Sequence, residues 1–307
     1  MLNTIRPLLL DKGYELLDYI NKGGFGSCYL VRSTKYQMNF VCKISQNPEY
    51  ESKYLNSFSR EVNALTHLNH PNVVRVYDVF TIENYLAIIL EYCSGGTLHS
   101  RLDEFTRIPI DKTINYTRQI LDALCYMHSK GITHSDIKPA NILIDEFDRV
   151  KICNFGLSQF GKQNEKNSVN FCGSTHYMAP EILMNNKYDP FKADVWSLGV
   201  TLYYLFSGKL PFLCSKNSYL VEAMRIGHEK ISFVPKNVNT LIDLCLRFDA
   251  QTRPNIFQIK KCFDENFVNP LPLMKIKMDS TLLRRSAQQS IIKMSKRVKR
   301  PIENTIA

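Results

Sequence analysis

Hydrophobic residues change their spacing once along this chain, near residue 94. Residues 14–93 read mainly as short strands. "YLVRS" (29–33) and "NFVCKIS" (39–45) look like a hairpin pair, and "VVRVYDVF" (73–80) and "LAIILEYC" (86–93) like two more strands. One helix, about Lys53 to Leu68, interrupts them, because Leu55, Phe58, Val62, Leu65 and Leu68 recur at helical spacing. "HPN" at 70–72 then breaks the chain. After "SGG" (94–96) the period is helical: Ile114 to Ser129, with Ile120, Leu121, Leu124 and Met127 toward a core, then Ala193–Ser207, Tyr219–Ile226 and Val238–Phe248. The pattern predicts an α+β chain of two lobes, strand-rich then helix-rich, joined near Glu91–Gly96. A cleft between lobes is a favoured ligand site.

Composition narrows this little. With 307 residues, 44% hydrophobic and 22% charged, the chain has ordinary globular proportions. No apolar run approaches the roughly 18–20 residues a membrane helix needs, so no transmembrane segment is expected. Leu8–Leu10 is too short and too soon closed by Asp11 and Lys12 to resemble a signal peptide. Nine cysteines stand singly and none forms Cys-x-x-Cys, which argues against zinc or dithiol chemistry. Buried, reduced thiols in a cytoplasmic or nuclear setting are the expectation. Charge changes the picture more. Of the net +10, the last 38 residues hold nine Lys and Arg against two Asp and Glu, leaving only +3 for the first 269. A body so close to neutral is not expected to bind specific nucleic acid.

Candidate chemistry falls on four stretches. "INKGGFGSCYLV" (20–31) puts Gly23 and Gly26 between two predicted strands. It reads as a plain hairpin turn or as a loop whose backbone N–H groups approach phosphates. Lys43 within a strand and Glu61 on the helix would be solvated singly, or an ion pair that places Lys43 on phosphates. "THSDIKPANILID" (133–145) is the most specific. Asp136 can accept a hydroxyl proton, Lys138 can neutralise a transferring phosphoryl group, and Asn141 can offer an amide oxygen to Mg²⁺. The fourth is "NFG" (154–156), an amide where a phosphate-handling site would place a carboxylate.

In this order, with "GSTHYMAPEIL" (173–183), "DVWSLGV" (194–200) and "TRP" (252–254), the motifs resemble the eukaryotic-type protein kinases over about Tyr14 to Phe263. Asp-x-Lys at 136–138 has the form found in the Ser/Thr branch. The resemblance implies a bilobal kinase-like domain at 14–263, with lobes at about 14–92 and 97–263, and a basic extension at 264–307. It implies ATP with Mg²⁺ or Mn²⁺ as cofactors and a protein as substrate or regulated partner. Carried over residue by residue, Gly23 and Gly26 would cover the phosphates, and Lys43 paired with Glu61 would hold them. Cys28, Val41 and Leu143 would join the nucleotide-binding set, with backbone groups of Glu91 and Cys93 on adenine and Leu90 as gatekeeper. Asp136 would be the catalytic base, Lys138 the γ-phosphate contact, and Asn141 and Asn154 the metal ligands. Glu181 would pair with Arg253, and Asp194 would anchor the catalytic loop. Leu65, Val76, His134 and Phe155 would form a column between the lobes.

Departures at six positions qualify the resemblance. Asn21 replaces a glycine and Cys28 a valine. Ser135 replaces the arginine before Asp136 that commonly receives a phosphorylated loop residue, which leaves Ser168 a weak candidate for a switch. Thr97 and Ala140 stand where arginine-selecting members carry acids. Asn154 replaces the metal-binding aspartate of Asp-Phe-Gly. A weakly active kinase and a nucleotide-binding scaffold that regulates a partner both remain open. In the tail, Leu283, Ala287, Ile291, Met294 and Val298 share one helical stripe among arginines and lysines. A calmodulin-like target, an autoinhibitory helix, a patch for acidic partners or nuclear import, and a solvated extension all fit.

Overall fold

A computed structural model describes residues 2–23, 26–46, 52–82, 85–105, 107–161, 174–184, 186–214 and 216–268. The tail stripe and Ser168 lie outside them. The compact unit runs to Asn266.

The strand-rich half is a five-stranded antiparallel sheet in the order β1-β2-β3-β5-β4. Its strands are β1 (Tyr14–Gly23), β2 (Gly26–Ser33), β3 (Asn39–Gln46), β4 (Val76–Ile82) and β5 (Tyr85–Glu91). The expected hairpin pairs as read, Lys43 opposite Cys28 on one side and Ile88 on the other. The strand expected at 73–80 is shifted. Val73 and Val74 leave the sheet to bond with Ile152, Val74 N donating to its carbonyl at 2.9 Å. Both side chains are buried.

One helix was not foreseen. α1 (Leu2–Asp11) lays Ile5 and Leu9 on the sheet, buried with Val31, Phe40, Cys42 and Ile89. Pro7 interrupts its apolar pattern between Ile5 and the run Leu8–Leu10. The foreseen helix is α2 (Ser52–His67), which buries Phe58 and Leu65 and brings Glu61 inward, while the side chain of Leu55 is outside the described set.

The second lobe begins with α3 (Leu98–Phe105) and α4 (Ile110–Ser129), the latter one turn longer than its apolar pattern. Ile120, Leu121, Leu124 and Met127 are all buried, as expected. Short strands follow: β6 (Ile132–Thr133), β7 (Ile142–Ile144), β8 (Val150–Ile152) and β9 (Gln159–Phe160), paired β6 with β9 and β7 with β8. These two small ladders hold "HSDIKPAN" and "NFG" side by side. Then come α5 (Pro180–Leu183), α6 (Pro190–Ser207), α7 (Asn217–Ile226), α8 (Lys236–Cys245) and α9 (Ile256–Phe263). α6 is buried on nearly every side, and so reads as almost wholly apolar. Asp189 caps it by accepting from Phe191 N, and Pro190 sits at its first position. A Cβ on its Gly199 would lie 2.6 Å from Cys245 Cβ, so glycine there lets α8 pack close. Arg253, just before α9, forks onto Glu181 of α5 at 2.8 and 3.1 Å, the buried pair expected.

Candidate active site

The linker between the lobes is stitched to β7. Gly95 N donates to Ile144 O at 2.9 Å, and Ile144 N donates to Gly96 O at 2.8 Å. This fixes the segment that carries Glu91 and Cys93. The Glu91 side chain has a role that sequence reading missed. It pairs with Lys151 of β8 at 2.6 Å and accepts from Arg75 N at 3.1 Å. Leu143 on β7 is half-buried, as are Val41 on β3 and Cys28 on β2, while Leu90 is buried at the sheet end of the linker. Gly23 and Gly26 end β1 and begin β2 across the turn. Gly26 has φ 151°, and a Cβ there would lie 2.5 Å from Ile44 O, so no side chain fits. The expected residues thus stand on β1, β2, β3, β7 and the linker.

Lys43 and Glu61 meet as expected, at 2.5 Å, both buried. Burial pulls the Lys43 pKa down, but the charge and hydrogen bond of Glu61 outweigh it and hold it above its ordinary value. Lys43 is thus a fixed cation. Burial raises the two thiols that feel its charge, Cys28 and Cys153, and pushes Cys42 and Cys93 up to about 12. These cysteines act as small packed groups rather than nucleophiles.

The loop holding Asp136 is tied down from below. Asp194 of α6, buried, accepts from His134 N and Ser135 N at 2.8 Å each and lies 3.0 Å from His128 Nε2. That anchoring supports a backbone strained at Ser135, φ 65°. His134 Nδ1 accepts from Asp136 N at 3.2 Å, and His134 Nε2 donates to Cys153 O at 2.9 Å, which fixes its tautomer. Phe155 is buried edge-on to His134, ring centroids 4.9 Å apart. Leu65 is buried as well and Val76 half-buried.

The polar side chains then form one connected chain. Asp136 Oδ2 accepts from Lys138 Nζ at 2.7 Å and from Asn141 Nδ2 at 2.8 Å. A carboxylate only accepts here, so Asn141 must turn its Oδ1 the other way. That oxygen accepts from Asn154 Nδ2 at 3.2 Å, and Asn154 Oδ1 accepts from Lys43 Nζ at 3.3 Å. Donation runs outward from Lys43, on one side through Asn154 and Asn141 to Asp136 and on the other to Glu61. Asn154 sits at φ 68°, a conformation asparagine adopts more readily than most residues. Asn141 Oδ1 and Asn154 Oδ1 are neutral oxygens able to serve a cation.

Sequence reading also missed Ser174. Its Oγ accepts from Lys138 Nζ at 2.6 Å, and its N–H donates to Asp136 Oδ1 at 3.4 Å. The only signal was a small hydroxyl residue just ahead of "HYMAPE". Around Asp136, therefore, one carboxylate, one ammonium and one hydroxyl converge within hydrogen-bond distance.

The family model described as a protein kinase domain matches residues 14–267. CBL-interacting protein kinase 9 of Oryza sativa subsp. japonica is 34% identical over 202 residues, 65% of this chain and 44% of that protein. CBL-interacting protein kinase 11 of the same plant is 30% identical over 263 residues, 83% of this chain and 52% of its own. Serine/threonine-protein kinase kin-29 of Caenorhabditis elegans is 33% identical over 220 residues, 72% of this chain and 27% of that protein. The chain thus spans about half or less of the length of these relatives. With its matched span and its two-lobed architecture, the chain belongs to the protein kinase family.

Proposed function

We propose that this chain is a serine/threonine protein kinase that transfers the γ-phosphoryl group of ATP to a protein hydroxyl, with a weakened metal corner. The observation that carries the reading is the group of Asp136, Lys138 and Ser174, held within hydrogen-bond distance on a loop anchored by Asp194. A hydroxyl presented at Asp136 would give up its proton to that carboxylate as its oxygen attacks phosphorus. Lys138 would hold the transferring group, and Lys43, fixed by Glu61, the phosphates behind it.

The donor set fits the phosphates of a nucleotide well: two lysines, each positioned by a carboxylate, and a glycine turn. For a divalent cation the fit is weaker. Asn141 and Asn154 would hold it through neutral amide oxygens, and Mg²⁺ favours charged ones. When bound, the cation supplies charge neutralisation on the phosphates. Losing several kcal/mol of that stabilisation lowers the rate by ~10²–10⁴. Slow turnover with either Mg²⁺ or Mn²⁺ is expected, abolished in Asp136→Ala.

One observation favours a second reading, a nucleotide-binding scaffold that regulates a partner. At this corner Asn141 and Asn154 present only neutral amide oxygens, each accepting a hydrogen bond from its neighbour. Wild-type transfer of phosphate that disappears in Asp136→Ala would eliminate this reading. No measurable transfer by the wild type would favour it.

A further inference from the structure

Helix α2 carries Glu61, and Glu61 holds Lys43, so the rotation of α2 decides where the buried ammonium is kept. Phe58, Ala64 and Leu65 bury one side of the helix. Apolar contact is non-directional, however, and does not by itself fix that rotation. A hydrogen bond does. Ser57 Oγ donates to Gly156 O at 2.8 Å, across 99 residues of sequence, with both residues buried. A serine within a helix commonly returns its hydroxyl to a carbonyl of its own helix. This one crosses to the turn that carries Asn154.

Ser57 stands four residues before Glu61, one turn away on the same face of α2. The groups therefore close a ring. Lys43 Nζ donates to Glu61 Oε2 at 2.5 Å and to Asn154 Oδ1 at 3.3 Å, the chain leads from Asn154 to Gly156, and Gly156 O returns to α2 through Ser57. A longer approach lies beside it, Ser158 Oγ to Arg60 O at 3.5 Å. The two ties on Glu61's face of α2 are not equivalent. The tie through Lys43 draws on an ammonium whose three N–H groups also serve phosphates. The tie through Ser57 uses no group of the phosphate-binding set, so a ligand on Lys43 does not compete for it.

We infer that Ser57 is a positioning residue, whose hydroxyl latches α2 to the turn at 154–156 and so keeps Glu61 against Lys43. The latch deepens the kinase reading proposed above, and its consequence for nucleotide binding rests on that reading.

The test reads Lys43 in the full chain without nucleotide. Trace acetic anhydride labels each lysine according to its exposure and its fraction of neutral amine, followed by peptide mass spectrometry. Glu61 keeps the Lys43 amine protonated; with Glu61 drawn away, burial favours the neutral form that reacts. Threonine and valine are both β-branched and differ in the hydroxyl, so Ser57→Thr and Ser57→Val isolate the hydrogen bond. Lys43 should label about threefold to tenfold faster in Ser57→Val than in Ser57→Thr, the span of one net hydrogen bond, with exposed Lys187 unchanged. In a Glu61→Gln background the difference should vanish, which a serine that merely supports the fold would not produce. If valine is not tolerated, Ser57→Ala against the wild type carries the same comparison. Equal labelling of Lys43 in the two variants overturns the inference, as does a difference that survives Glu61→Gln or that Lys187 shares. ATP affinity, by calorimetry, should fall by a similar factor in Ser57→Val, and an unchanged affinity overturns the positioning role. A wild type that neither binds ATP nor transfers phosphate ends the kinase reading, while Lys43 labelling still decides the latch.

Discussion

At the scale of single residues, two kinds of charge placement matter. Arg253 and Glu181 are buried and bidentate, so each satisfies the other. Arg253 also donates to the carbonyls of Lys192 and Arg247. Removing one partner strands a buried charge. Arg253→Ala is expected to cost about 3–5 kcal/mol in a urea denaturation, and a loss under 1 kcal/mol would show that the pair is only decorative. Asn154 is the other kind. It exchanges a charge for a donor: aspartate could accept from Lys43 but could not give Asn141 a hydrogen bond. The residue types of this corner were legible in sequence because the motifs that carry them stand in the order of the family they resemble. The donor direction was not legible, because it depends on which oxygen of each amide faces which neighbour. Ser174 escaped notice for a similar reason: a hydroxyl carries no pattern until Lys138 and Asp136 stand beside it.

At the scale of elements, the readable ones were those whose apolar period matches one buried face. α4 and α2 show this, with Met127 and Leu65 where the period placed them. Elements whose burial is split between partners were misjudged. Val73 and Val74 have the composition of a strand, yet they serve the second lobe through Ile152. α1 was hidden because Pro7 separates Ile5 from Leu8 and Leu9, the apolar side chains it packs on the sheet. That packing is nonetheless part of the sheet's core. Ile5→Ala and Leu9→Ala are each expected to lose about 2–5 kcal/mol of stability, read as a lower urea midpoint with an unchanged m-value. An unchanged midpoint would show that α1 docks without belonging to the cooperative unit.

At the scale of the whole molecule, the two lobes meet through a line of side chains. Glu61 and Lys43 come from α2 and β3, and Asn154, Asn141 and Asp136 from the loops of the second lobe. In this arrangement Asn154 gives the line one amide acceptor and one amide donor, and no charge. Nucleotide binding should then depend mainly on Lys43 and the glycine turn and only weakly on divalent ions, while turnover should depend on them strongly. The most direct measurement is the affinity for ATP, by calorimetry, with EDTA and across a Mg²⁺ titration, for the wild type and Asn154→Asp, with phosphate transfer followed on the same samples. The wild type should bind ATP with EDTA present and tighten less than about tenfold with Mg²⁺. Asn154→Asp should tighten far more and transfer phosphate ~10²-fold faster or better. A wild type whose ATP binding vanishes in EDTA, or an Asn154→Asp variant that gains neither Mg²⁺ dependence nor rate, would contradict the role assigned to this amide.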